Sequence, residues 1–392
     1  MNKKFVSRRI ESLKEKLTEE GLDAAIIVKP ENVFYFSNFN PVLNSHPCFV
    51  IVSVKKGTCL LVHSIRCDHA KEEGAIGNVQ LYGKWGSNVS LAIDPVDAIR
   101  EILEDVPVRL GLELDSINIS LYQKILAKLN PATVLDISSP INMMKIIKDA
   151  YEISCIKKAA HLVDIGVETA IGCLEKGYSE ACASTEGQYR MRKAWSELYN
   201  DTEVCGFGTS EGGMIDSLHV WCLSNSHIAY GCDCPKHYTP LPGDLSLPMA
   251  WAKVNGYHAE NERSIIVNKV AGIRDRAYGA MLEARQAVFD SLKPGFSFES
   301  LYLAAAAVFI KHGFGEILPG RVGHGVGCSA HEFPSLAGGN KLLLAAGMVI
   351  TVEPGLMDKS WGGVRHSDTV LITETGYECL TKLDNKRITI NK

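Results

Sequence analysis

Apolar positions near the start of the chain switch between a helical and a strand period. Residues 8–21 carry Ile10, Leu13 and Leu17 at helical spacing and close on Gly21, a residue suited to ending a helix. The run Leu22-Asp23-Ala24-Ala25-Ile26-Ile27-Val28 then reads as a buried strand that stops at Lys29-Pro30. Residues 48–54 and 58–62 are β-rich and separated by Lys55-Lys56-Gly57, which predicts a hairpin. Helix and strand patterns keep alternating to about Ser139-Pro140, the signature of an α/β domain. From Lys145 to Leu174 the pattern is helical throughout, with Ile153, Ile156, Ala160, Val163, Val167 and Ala170 on one face. The boundary therefore falls at residues 145–149, dividing the chain into domains of 1–145 and 146–392.

The second domain opens with helices and turns strand-rich after about residue 218. Helical patterns return at roughly 274–291 and 297–312, with turns at Pro240-Leu241-Pro242-Gly243-Asp244 and Leu292-Lys293-Pro294-Gly295. Runs of helix beside runs of strand indicate an α+β class. At 392 residues the chain exceeds one compact core. A balance of 41 Lys+Arg against 45 Asp+Glu gives no basic field, so nucleic acid is not an expected partner. No apolar run approaches the roughly 20 residues of a membrane span. The opening Met1-Asn2-Lys3-Lys4-Phe5 lacks the apolar core of a secretory signal, and a cytoplasmic location is expected. Twelve cysteines without a C-x-x-C pair read as small apolar thiols in a reducing compartment rather than a zinc site.

Four clusters combine ionisable residues with strand-like surroundings. They are His227 to Cys234, Gly256 to Arg263, Gly323 to Pro334, and Glu353-Pro354 with Gly363 to Asp368. Glycines around His324 allow close backbone approach to a ligand. Glu353 interrupts a β-branched run, where an unpaired carboxylate is costly to bury. Glu260 and Glu262, two apart on a strand, face the same way. Carboxylates with histidines suit acid–base work or cation binding. The plainer readings are surface hydrogen bonding for His258 and His366, and a solvated strand face for Glu260.

The ordered set Gly323-His324-Gly325-Val326-Gly327, His331-Glu332-x-Pro334, Val352-Glu353-Pro354-Gly355 and Gly363-x-Arg365-x-x-Asp368-Thr369 resembles the pita-bread superfamily of methionine aminopeptidase, Xaa-Pro peptidases and creatinase. The resemblance spans nearly the whole chain. It implies an N-terminal α/β creatinase/prolidase-type domain followed by a C-terminal pita-bread domain. It also implies a homodimer whose first domain reaches the neighbour's site. Peptidases of this superfamily hold two divalent metals on Asp, Asp, His, Glu and Glu. The matching positions here are Met249, Glu260, His324, Glu353 and Ser367. A thioether and a hydroxyl do not replace two carboxylates toward Mn²⁺, Co²⁺ or Zn²⁺, so the expectation is no metal and no other cofactor. A single weakly held ion on Glu260, His324 and Glu353 is the alternative.

Creatinase, which works without metal, resembles the chain at Glu262, Glu353 and His324. Its catalytic histidine falls at Cys232 by count, or at Gly231, leaving Cys232, His227 or His237 as base or nucleophile. The arginines that clamp creatine's carboxylate fall at His46 and Ser335, so creatine itself does not fit. Trp221 and Trp251 offer faces for a cationic ligand, or are core aromatics. The reading that results is a metal-independent, creatinase-like hydrolase of a C–N bond in a small polar cationic nitrogen compound, guanidino- or amidine-like. Here Glu262, Glu353, Glu260, His46, Arg365 and His366 bind substrate, and His324 and His331 move protons. Its rivals are a metal-dependent Xaa-Pro dipeptidase or aminopeptidase with an altered site, and a non-catalytic binding protein.

Overall fold

The computed structural model describes residues 3–104, 109–212, 216–230 and 233–392. It divides into two compact units, Met1–Lys145 with Cys205–Ile215, and Ile146–Val204 with Asp216–Lys392. Residues 205–212, placed by sequence in the second domain, thus group with the first.

In the first unit the helix Lys3–Glu19 buries Val6, Ile10, Leu13 and Leu17, the stripe its spacing predicts. The predicted hairpin is present, with Ser53 paired to Gly57 across the turn. Six strands form one mixed sheet: β1 (Ala24–Ile27), β2 (Phe49–Ser53), β3 (Gly57–His63), β4 (Val79–Tyr82), β5 (Arg109–Leu112) and β6 (Thr133–Asp136). Their order is β4-β3-β2-β1-β5-β6. Cys48 and Cys59 are buried here, and burial pushes both thiols up to about 12, so they remain neutral packing groups.

The second unit starts with the helix Ala150–Glu175, five residues later than its apolar stripe suggests. Asp149 is the reason. Its carboxylate accepts from the backbone of Tyr151 and Glu152 while Glu152 accepts from the Asp149 N–H, a capping box that fixes the first turn. Residues 138–145 form a separate short helix of the first unit. Helices Glu180–Leu198, Gly272–Phe289 and Phe298–Lys311 complete the cover.

The remaining strands are β7 (Leu218–Ser224), β8 (Leu245–Val254), β9 (Tyr257–Arg263), β10 (Ile265–Val267), β11 (His324–Gly325), β12 (Glu332–Ser335), β13 (Val349–Val352), β14 (Gly355–Asp358), β15 (Gly362–Ile372), β16 (Tyr377–Cys379) and β17 (Ile388–Ile390). The main path runs β12-β11-β13-β15-β9-β8-β10-β17, with β7 on β8 and β14 and β16 on β15. Beneath it, Asp368 on β15 takes Arg263 of β9 at 2.6 Å and Arg285 of the helix Gly272–Phe289 at 2.5 Å. Burial alone would raise that carboxyl. The two guanidinium groups overcome it and hold Asp368 well below the usual carboxylate range. This buried knot locks β9 and β15, the strands that carry His258, Glu260, Glu262 and Arg365.

Candidate active site

Strand register places the cleft residues. Trp221 pairs with Met249, Met249 with Glu262 and Glu262 with Ser367, one row across β7, β8, β9 and β15. A second row, two residues along, runs His219, Trp251, Glu260. Residues two apart on a strand project to one face, so the two rows and Arg365 share it. With Arg321, His331 and Glu353 this face bounds a cleft of about 540 Å³, an ordinary size for a small-molecule site. A second cleft of about 500 Å³ shares Arg321, Glu353 and Arg365 and adds Ser335 and Leu318.

His324 enters this face through a backbone that only glycine allows. A Cβ on Gly323 would lie 2.2 Å from the Thr351 carbonyl oxygen, and one on Gly325 2.6 Å from that of Phe333. The β11–β12 register shifts between His324 and Gly325, a bulge that re-aims the side chain. The imidazole Nδ1–H is assigned as donor to the Gly325 carbonyl at 2.9 Å, which leaves Nε2 with a bare lone pair. His324 is 1% exposed and Nε2 has no hydrogen-bond partner. Burial lowers its pKa against the upward pull of Glu353, keeping the ring neutral. His331 sets its ring edge-on at 4.3 Å from that of His324. Burial and then His324 lower its pKa too.

The carboxylates have separate partners. Glu260 accepts from Ser367 Oγ at 2.6 Å and from Trp251 Nε1 at 3.2 Å. Glu262 meets the Arg365 guanidinium in a bidentate contact, with Nη2 to Oε1 at 2.7 Å. Arg365 also stands 3.9 Å from Glu353. Burial pushes Glu262 up, to about 8; Arg365 pulls it back while Glu260 and Glu353 add to the rise. Arg365 moves the other way: burial would lower it, but Glu262 and Glu353 raise it further. Those two tendencies assign the pair differently. The fork geometry and a guanidinium that keeps its proton in proteins make it an ion pair.

The structure thus gathers His324, His331, Glu353, Glu260, Glu262, Arg365, Trp221 and Trp251, and the two tryptophans stand edge-to-face at 5.8 Å along the wall. Two expected residues are not part of it. His366 points to the opposite face of β15 and is fully buried: Nδ1 accepts from Ser264 N–H at 3.1 Å, the ring packs edge-on against Tyr278, and burial lowers it to about 3. His227 lies in a turn against Glu180 at 3.7 Å and Lys236 at 3.3 Å and lines neither cleft. His46 belongs to the first unit, where its ring meets His63 at 4.6 Å. Cys232 lies outside the described residues. Residues not expected are His219, Ser217 and Arg321, and His258, which lines the cleft instead of the surface and takes the Gly327 carbonyl. His219 alternates with Trp221, a signal visible in the sequence.

Two metal ions do not fit. Met249 offers only a thioether, 3.8 Å from Arg365 Nη2, and the Ser367 hydroxyl is spent on Glu260. One ion has candidate ligands among the described residues: Glu260, His324 and His331 offer ligand atoms all within 4.8 Å of one another, as do Glu260, Glu262 and Glu353. The bare His324 Nε2 also lies 3.4 Å from Glu353 Oε1 and 3.8 Å from Glu260 Oε2, near the roughly 3–3.6 Å that separates two ligands of one ion.

Known proteins place this site in context. Residues 9–147 match the creatinase/prolidase N-terminal domain and residues 154–374 match metallopeptidase family M24. The Xaa-Pro dipeptidase of Pyrococcus furiosus is 30% identical over 381 residues, covering 97% of this chain and 99% of that protein. The prolidase of Pyrococcus horikoshii OT3 superposes with a TM-score of 0.82 at 26% identity, covering 97% of this chain and 100% of that one. The prolidase from Pyrococcus furiosus gives 0.80 at 28% identity over 95% of this chain and 100% of its own. These matches overturn the metal-independent, creatinase-like amidinohydrolase expected from the sequence. These relatives are named as an Xaa-Pro dipeptidase and prolidases, and the matched family is one of metallopeptidases. The chain belongs to metallopeptidase family M24, with the pita-bread fold behind a creatinase/prolidase N-terminal domain.

Proposed function

We propose that the chain is a metal-dependent peptidase that cuts the peptide bond before proline in a dipeptide or short peptide. The observation that carries this is the end-to-end similarity to Xaa-Pro dipeptidases together with His331 and Glu353 lining one cleft and the buried His324 set against both. Glu260, His324 and Glu353 would hold the ion. Held by these residues, a divalent cation would supply Lewis-acid polarisation of the scissile carbonyl and a water of lowered pKa. His331, neutral and half-exposed beside His324, exchanges a proton at the departing amine. Trp221 and Trp251 give the proline ring an apolar wall. Arg321, at the rim shared by both clefts, meets the substrate carboxylate.

The test is release of free proline from Xaa-Pro dipeptides by chelator-treated protein before and after addition of Mn²⁺ or Co²⁺. Cleavage that needs the added ion and fails when alanine replaces proline supports the reading. No proline release with any divalent ion refutes it. A cytoplasmic homodimer belongs to the same proposal, and light scattering on the eluting protein should give twice the chain mass.

A further inference from the structure

Charge and geometry around β9 point to a departure from the two-ion arrangement that the family resemblance implies. Glu260, Glu262 and Glu353 are all buried on one face, and the partly exposed guanidinium of Arg365 stands among them. Arg321, at the rim, stands 3.8 Å from Glu353, so the three carboxylates still outnumber the two guanidinium groups of the cleft. An excess carboxylate is costly in a buried site without a positive partner. The Arg365 guanidinium is held to one side. Glu262 grips it through both oxygens, and its Nη2 lies 3.8 Å from Met249 Sδ. On that side two of the family's ligand positions carry no charge, since they are Met249 and Ser367. On the other side His324 presents its unpartnered Nε2 between Glu353 and Glu260.

We infer that this cleft binds one divalent cation per protomer, on Glu260, His324 and Glu353, and that the Arg365–Glu262 ion pair supplies the positive charge on the side where a second ion would otherwise sit. The inference deepens the proposed function, yet its test needs no substrate. Chelator-treated full-length protein is dialysed to equilibrium against Mn²⁺, bound metal is counted by mass spectrometry, and the electron paramagnetic resonance spectrum is recorded. The expected result is one Mn²⁺ per chain with the spectrum of an isolated ion. Two ions per chain, a spin-coupled pair signal, or no binding at millimolar Mn²⁺ would each overturn it. His324→Ala should abolish the bound ion, and retention of the ion overturns the assignment. The double variant Met249→Asp/Ser367→Glu restores two carboxylates and should raise the count to two; a count that stays at one contradicts the stated cause. Should that variant not fold, the wild-type count and His324→Ala still decide. One bound ion without proline release would sink the peptidase reading alone, whereas two bound ions with proline release would sink this inference alone.

Discussion

At the scale of single residues, the cleft turns on how Glu260 and His324, the proposed ligands, are oriented by their neighbours. Trp251 donates to Glu260 Oε2 at 3.2 Å, and the Gly325 carbonyl fixes the His324 tautomer. Groups that orient metal ligands typically contribute about 10–100-fold to affinity. Trp251→Phe keeps the ring bulk and removes the N–H. Its Mn²⁺ affinity should fall by about that factor while the melting temperature of the ion-free protein stays close to wild type. Calorimetric titration checks this, and an unchanged affinity would mean that the indole only fills space. His331→Gln should lower kcat by about 10²–10⁴-fold with the bound Mn²⁺ count unchanged, as expected of a proton carrier. A lost ion in that variant would instead make His331 a ligand.

At the scale of elements, close strand approach sets the site. A Cβ at Gly325 would press on the Phe333 backbone, which has no flexible end to move aside. Gly325→Ala should therefore cost about 1–3 kcal/mol in denaturant unfolding and displace His324. The knot of Arg263, Asp368 and Arg285 ties β9 to β15 from below. Asp368→Asn leaves two buried guanidinium groups with a weakened partner, and a loss of about 3–5 kcal/mol is expected. A loss under 1 kcal/mol would show that the knot does not hold these strands in register.

At the scale of the whole molecule, much of the fold was legible because burial imposes a period. The helix Lys3–Glu19, the β2–β3 hairpin and the two helices before β11 follow their apolar patterns. The start of the helix Ala150–Glu175 was not legible from the stripe, because a capping box and not hydrophobicity ends it. The same alternation that unites Glu260 with Glu262 puts His366 on the face opposite Arg365, although motif adjacency suggested otherwise. What no single strand reveals is register. The Glu262–Arg365 pair joins residues 103 apart, and it alters the charge of the cleft more than any motif does.

His366 also links stability to pH. Its pKa falls from 6.5 to about 3 on burial, so the unfolded chain binds the extra proton first. Its contribution is complete above pH 6.5 and is lost as pH drops toward 3. Wild type should thus lose more stability between pH 7 and pH 5 than His366→Gln. Equal losses in the two proteins would show that the folded ring takes up its proton as readily as the unfolded one.

The central claim is that a divalent ion on Glu260, His324 and Glu353 drives cleavage before proline. Proline release from an Xaa-Pro dipeptide, followed while Mn²⁺ is added stepwise to ion-free protein, tests it most directly. The account predicts a rate that starts near zero and levels off at one equivalent per chain. A flat line at zero, or a rate already maximal before any ion is added, would contradict it.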